Sequence, residues 1–388
     1  MRPLLTTALP LLLVLPACRS ELDAVALDED LALADTSTEQ VVTDPVTCAN
    51  EGAPTRAFDE RGVELMDTVP EVEVGTPLTW TVPEEVAVLE LCGTWEALLT
   101  VEHDLRILGH GDPEDSVLSG RHEGTPLTVR GATVTLERVT LADGVATDLD
   151  ERDASSSDRG GALRAEDAEL VVRDVVFSDN LARYGGSVAL VDSQATFVDT
   201  TFWWGAAVVA GGALALEGDS HADVVDSSFF ANQAGEGGAI EVRDSSILLD
   251  GVMMLENAAE RGGGIYATDA ASLVIRDSSI GHQHAEVGGA LALERADARI
   301  RDTTFDENEA SVRGGAIDAT TARLTLRDTV LIYNSAGQVG GGLSADGSSV
   351  FGRDCVFVGN EAELGGDQYW QTGGDVELGS CLFVAETQ

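Results

Sequence analysis

From residue 160 onward, apolar residues come in short runs with polar interruptions and never in a helical stripe. A pair such as Ala162-Leu163 or Ala239-Ile240 is followed by a second run such as Leu170 to Val172 or Leu324 to Leu326. An aspartate and a third run come next, ending in F-x-x-N-x-A, as in FSDNLA, FFANQA, FDENEA and FVGNEA. A Gly-Gly pair opens each round, starting at Gly160, Gly185, Gly211, Gly237, Gly263, Gly288, Gly314, Gly341 and Gly365, with spacings of 24 to 27 residues. Three strand-like runs in about 26 residues leave no room for the crossover helix of a βαβ unit, which needs about 30 residues or more. One round cannot bury its apolar positions alone. Stacked at about 4.8 Å, successive rounds give three parallel sheets around a shared core. The expected fold is all-β, a single-stranded right-handed parallel β-helix with about 26 residues per coil and some 11 coils from Val86, about 50 Å long at that strand spacing.

The earlier chain divides into three parts. Arg2 and the apolar run Leu9 to Leu15, ending in Leu15-Pro16-Ala17-Cys18, read as a signal peptide over 1–17. Residues 18–47 are acidic and aperiodic, a disordered stalk of roughly 30 Å root-mean-square reach. Residues 48–85 are the expected N-terminal cap, 86–388 the β-helix with a C-terminal cap around Tyr369-Trp370, and the polar stretch 143–159 a loop leaving one coil.

A cysteine straight after a small residue resembles the lipobox of bacterial lipoproteins, with Pro16 a departure from it. That resemblance implies cleavage before Cys18 and a lipid on its thiol, and Arg19 in place of an aspartate resembles lipoproteins sent to the outer membrane. The repeat itself resembles those of the chlamydial polymorphic outer membrane proteins, which combine GGA[IVL] with FxxN, and the wider right-handed β-helix repeat family. Those proteins end in an autotransporter barrel, whereas this sequence stops at Gln388 just after its last coil. The lipid is then the expected anchor to a membrane, at the outer membrane or cell surface.

The shared register sets residues above one another. Asn180, Asn232, Asn257, Asn308, Asn334 and Asn360 form one column, able to donate to and accept from their own kind. Alanines two residues on, from Ala182 to Ala362, are the expected lining of a tight corner. The Gly-Gly pairs suit turns of positive φ better than a phosphate cradle, since a strand and not a helix follows them. Asp174, Asp199, Asp226, Asp277, Asp302, Asp328 and Asp354 form another column. Calcium shared between stacked carboxylates is its functional reading, and turn-forming Asx residues are its architectural one; the calcium-binding nonapeptide of β-rolls is absent. No cofactor is otherwise implied.

Composition narrows the partners. Net charge is −45 and no lysine occurs among the 388 residues, which excludes a nucleic-acid footprint and suits a soluble exported monomer. Aromatics are 5% and glycines number 42, fitting a thin core of stacked aliphatic side chains. Export permits disulfides, and the expected pairs are Cys48 with Cys92 and Cys355 with Cys381, the latter 26 residues apart and hence stacked neighbours.

Two departures from the repeat are the candidate ligand sites. Trp203 and Trp204 replace small polar residues, with Gly205 in the asparagine register; turned outward they offer an apolar platform for a sugar or a protein, turned inward they fill the core. His282 and His284 flank Gln283, which replaces the expected asparagine, and no third metal ligand lies near them in sequence. No residue is singled out as catalytic, because the aspartates recur evenly. The leading function is a non-catalytic, lipid-anchored surface scaffold for adhesion or for binding a glycan or surface protein. A polysaccharide lyase or glycoside hydrolase of pectate-lyase-like fold is the alternative, to be recognised by a groove gathering basic residues and carboxylates. A structural envelope protein is the third class.

Overall fold

The computed structural model describes residues 55–65, 68–70, 76–146 and 158–384. The signal segment, Cys18, the acidic stalk and Cys48 lie outside these residues, as does most of the loop within 143–159. The described chain is a parallel β-solenoid of about 11 turns, each about 26 residues long, with no α-helix among the described residues.

Several coils carry four strands where the pattern of apolar runs predicted three, and in the coils after Gly211 and Gly237 isolated bridges take the place of the fourth. In the coil that follows Gly185 the four are Val188–Val191, Gln194–Val198, Thr201–Trp203 and Ala206–Ala210. The first three pair in parallel register with their counterparts in the next coil and the fourth with Leu181–Tyr184 of the coil before, continued onward by single bridges, so four ladders run along the solenoid. The alanine column belongs to the fourth ladder and not to a corner: Ala182 is in register with Ala207, and Ala285 with Ala310 and Ala336. A strand whose inward residue is only an alanine lacks the run of large apolar residues that marks a strand in sequence. Parallel stacking reaches back to Leu78–Thr81, paired with Ala97 to Thr100, while Arg56–Phe58 lies antiparallel to Val88–Leu91 at the N-terminal end.

Four turns close the coil, and each has one residue in the left-handed region. After Gly185 (φ 62°) these are Asp192 (48°), Asp199 (51°) and Trp204 (51°). The whole aspartate column, Asp174 to Asp354, has φ between 48° and 55°. Aspartate tolerates this conformation better than most residues, which accounts for the column without a metal. Threonine and serine follow several of these aspartates and turn inward. The Ser227 hydroxyl accepts from the Thr200 N–H and donates to the Val225 carbonyl, and Ser278 does the same for Val252 and Arg276.

The two glycines of each pair have different duties. The first holds φ between 61° and 69°, at Gly160, Gly185, Gly211, Gly237, Gly262, Gly288, Gly314 and Gly340. In the two Gly-Gly-Gly triplets the register thus falls on Gly262 and Gly340, one residue before the pairs expected at Gly263 and Gly341. The second glycine faces the next coil. A Cβ on Gly161, Gly186, Gly212, Gly238, Gly263, Gly289 or Gly315 would sit 2.0 to 2.3 Å from the carbonyl oxygen stacked on it.

Inside, the asparagine column forms a ladder from Asn232 to Asn360, interrupted before it by Gly205, whose N–H donates to Asn232 Oδ1. Asn232 Nδ2 donates to Asn257 Oδ1 at 2.9 Å and to the Phe202 carbonyl at 3.2 Å, and Asn334 repeats this with Asn360 and Phe305. Gln283 keeps the ladder unbroken, accepting from Asn257 at 3.0 Å and, through its own N–H, donating to Asn308. Beside it runs an aromatic column in which Phe177, Phe202 and Phe229 stack with centroids 5.0 and 4.6 Å apart. Cys355 and Cys381 are disulfide-bonded with Cα atoms 4.4 Å apart, tying the last coil to the one before.

Gly289→Ala should destabilise the fold by about 3 kcal/mol or more, because its Cβ would collide with the Gly315 carbonyl and neither backbone can yield. Gly347→Ala, where the nearest atom is Thr321 Oγ1 at 3.8 Å, should cost only the left-handed conformation, about 1 kcal/mol. Denaturant unfolding of the two variants checks the contrast.

Candidate functional site

The most unusual chemistry lies between the first and fourth ladders. Residues at the second position of each first-ladder strand point away from the core, in the register Arg164, Ala189, Ala215, Glu241, Tyr266, Ala292, Asp318 and Ser344. Half of these positions are alanine or serine. The other four are large or charged, and the fold buries them: Glu241 is 0% exposed, Asp318 2%, Tyr266 4% and Arg164 7%.

They are buried because the fourth ladder stands beside them as a wall. Its last residues stack as Arg159, Tyr184, Ala210, Glu236, Arg261, Val287, Arg313 and Val339. Floor and wall meet at the left-handed glycine that starts each coil, and the tight turn brings them into contact. Arg313 Nε lies 2.8 Å from Asp318 Oδ1, and Arg159 Nη2 lies 2.7 Å from Glu217 Oε2. Arg261 lies 3.2 Å from Glu236 and 3.7 Å from Glu294, while the Tyr266 hydroxyl donates to Glu294 Oε2 at 2.9 Å. Arg164 is bonded to Glu166. Between Arg261, Tyr266 and Glu294 on one side and Arg313 and Asp318 on the other is a cavity of about 440 Å³, with Thr320 also in its lining.

Two carboxyls of this groove titrate differently. Burial pushes Glu241 up to about 7, with Arg243 opposing the shift and Glu217 adding to it. Arg243 Nη2 is 2.8 Å from Glu241 Oε1 but poorly aligned, and both carboxylate oxygens are buried without a hydrogen-bond donor. Glu294 goes the other way, held below its usual value by hydrogen bonds from Arg295 and Tyr266 against a smaller effect of burial. Two acids of one groove thus carry different protonation near neutrality, an arrangement found where proton transfer or pH-sensitive binding occurs.

The residues singled out from sequence lie elsewhere. Trp203 and Trp204 both point outward, 46% and 55% exposed, with rings 5.5 Å apart at 78°. The inward, core-filling alternative is thereby excluded. His282 and His284 are on the surface too, each 3.5 Å from a glutamate one coil on, Glu307 and Glu309. Among the described residues, no three His, Cys, Asp or Glu side chains are grouped to hold a metal ion.

Residues 212–383 match the family model described as a right handed β-helix region. The described solenoid has the fold of a right-handed parallel β-helix. No curated protein matches its sequence. Among solved structures, the β-helix is similar to the periplasmic alginate epimerase AlgG, at 9% identity over 77% of this chain and 78% of that one, with a TM-score of 0.32. It is also similar to DFA-IIIase from Arthrobacter chlorophenolicus A6, at 9% identity over 78% and 75% with a TM-score of 0.34. A third is PfbA, a surface adhesin of Streptococcus pneumoniae, at 10% identity over 74% and 83% with a TM-score of 0.31. Likeness this distant carries no argument about the groove.

Sequence reasoning passed over the groove although a signal for it exists. In the string G-G-[AGS]-[LIV]-x-[ALV], the position x is alanine or serine in half of the coils and becomes Arg164, Glu241, Tyr266 and Asp318 in the others. A fully buried acid with a raised pKa loses stability as it ionises, so Glu241 stabilises the fold below about pH 4.5 and progressively less as pH rises through about 7. The difference between wild type and Glu241→Gln should therefore fall by about 3 kcal/mol from pH 5 to pH 8, read by denaturant unfolding at each pH.

Proposed function

We propose that this β-helix is exported, is anchored at a cell surface by a lipid on Cys18, and binds an uncharged, hydroxyl-rich polymer such as a neutral polysaccharide along the groove between its first and fourth ladders. One observation carries this reading: the arginines of the groove already stand against carboxylates, Arg159 with Glu217, Arg164 with Glu166, Arg261 with Glu236 and Glu294, and Arg313 with Asp318. Paired in this way they offer fixed donors and acceptors for hydroxyl groups and no surplus positive charge to attract a polyanion. The net charge of −45 works in the same direction. A purely structural envelope protein would have no need of charges buried at this energetic cost.

Cleavage of the bound polymer is the second reading. The observation in its favour is that burial favours the protonated form of Glu241 up to about pH 7 while hydrogen bonds from Arg295 and Tyr266 favour ionised Glu294, so that acids two coils apart along the groove differ in protonation.

An array of neutral and acidic oligosaccharides tests both readings. Neutral chains should bind and acidic ones should not, and Arg261→Ala should weaken binding by about tenfold or more, the loss of charge-assisted hydrogen bonds. Binding confined to polyuronates would overturn the proposal. Chain shortening that stops in Glu241→Gln would favour the enzyme. Mass spectrometry of the mature N-terminus should find a lipid-modified Cys18; an unmodified cysteine, or cleavage elsewhere, would remove the anchor.

A further inference from the structure

On the outward face of the third ladder, Trp203, Phe230 and Leu255 stand in register over three successive coils. Trp204 sits at one margin, 55% exposed, and Met253, 44% exposed, lies on the same face. Trp203 leans on Phe230 at 6.2 Å, so the apolar surface is continuous along the axis. Nothing in the coil needs large apolar residues here, because the core side of this ladder is already filled by Phe202, Phe229 and Met254. With Trp203, Trp204 and Met253 exposed and Phe230 and Leu255 half-buried, an apolar strip of this kind marks an interaction surface.

Its surroundings decide the partner. The turn column of Trp204 contains Asp179 one coil before and Glu256 two coils after, and the opposite margin carries Asp199 and Asp226. All four are exposed at left-handed turn positions, where their carboxylates face solvent. Residues 184–242, which supply the centre of the strip, contain eight Asp and Glu residues and neither lysine nor arginine. Two indoles inclined at 78° present two faces to one ligand group, and indole faces attract cations, more so beside carboxylates.

We propose that this strip is a docking face for a cationic amphipathic segment of a partner protein, whose apolar residues lie on Trp203, Phe230 and Leu255 and whose lysine or arginine side chains pack against the indoles and pair with the acidic margins. The face is separate from the groove, so this interface does not depend on the glycan reading.

The test uses the full chain and a labelled amphipathic lysine-leucine peptide, followed by fluorescence anisotropy at low and high salt. The peptide should bind, and W203A/W204A should weaken it by about tenfold or more while leaving the melting temperature unchanged, since both side chains are exposed. Neutralising the margins with D179N/D199N/D226N/E256Q should flatten the salt dependence; asparagine keeps the left-handed turns accessible. In the unaltered protein, bound peptide should shield Trp203 and Trp204 from indole-selective oxidation and leave Trp370 as reactive as before. Equal binding of an oligolysine without apolar residues, or of the peptide to W203A/W204A, would reduce the effect to diffuse charge attraction and overturn the proposal. So would a neutral β-glucan oligosaccharide that loses binding in W203A/W204A while the peptide does not, which would make the strip a sugar platform.

Discussion

Everything in this molecule depends on how closely one coil can lie on the next. At the second glycine of each pair the backbone meets the carbonyl oxygen of the following coil, at a distance where a Cβ has no room. That contact keeps the four ladders in parallel register, and the register gives every other position its neighbour. Side chains that need a partner of their own kind find it one coil away: asparagine amides, serine and threonine hydroxyls, stacked phenylalanine rings and one pair of cysteines. The solenoid therefore satisfies its interior with a few repeated devices, and a substitution in one coil is felt mainly by the two beside it.

Outward positions are released from these requirements, and there the coils differ. Backbone polar groups are spent in the ladders, so charge on the outer face is free to vary, except where the fourth ladder overhangs the first. Groups that would be solvated on a flat sheet are buried in that angle, and burial makes Glu241 hard to ionise while Arg313 holds Asp318 at 2.8 Å. Buried pairs of this kind contribute little net stability, and removing one partner leaves an unmatched charge in low dielectric. Their concentration on one groove of an otherwise uniform rod is what distinguishes this site from the ion pairs scattered over the rest of the surface.

The groove and the aromatic strip lie on either side of the fourth ladder and differ in chemistry. One is concave, matched in charge and rich in fixed hydrogen-bonding groups. The other is apolar with an acidic border. The whole chain carries a net charge of −45, which disfavours anionic partners at either face.

The sequence by itself determined the repeat, its length of about 26 residues, the parallel stacking, the columns of asparagine and aspartate, and the neighbouring of Cys355 with Cys381. It could do so because each is a one-dimensional property, fixed once residues separated by one period are placed above one another. The fourth strand was hidden, since its inward residue is an alanine, and the reading of the Gly-Gly-Gly triplets slipped by one because only backbone angles tell Gly262 from Gly263. Trp203, Trp204, His282 and His284 stood out as breaks in the pattern, but not the direction in which they point. The groove was decided by tertiary structure alone. Glu236, Arg261, Tyr266, Arg313 and Asp318 belong to different strands and coils, and what joins them is the angle between two ladders, a three-dimensional quantity that no period along the chain encodes.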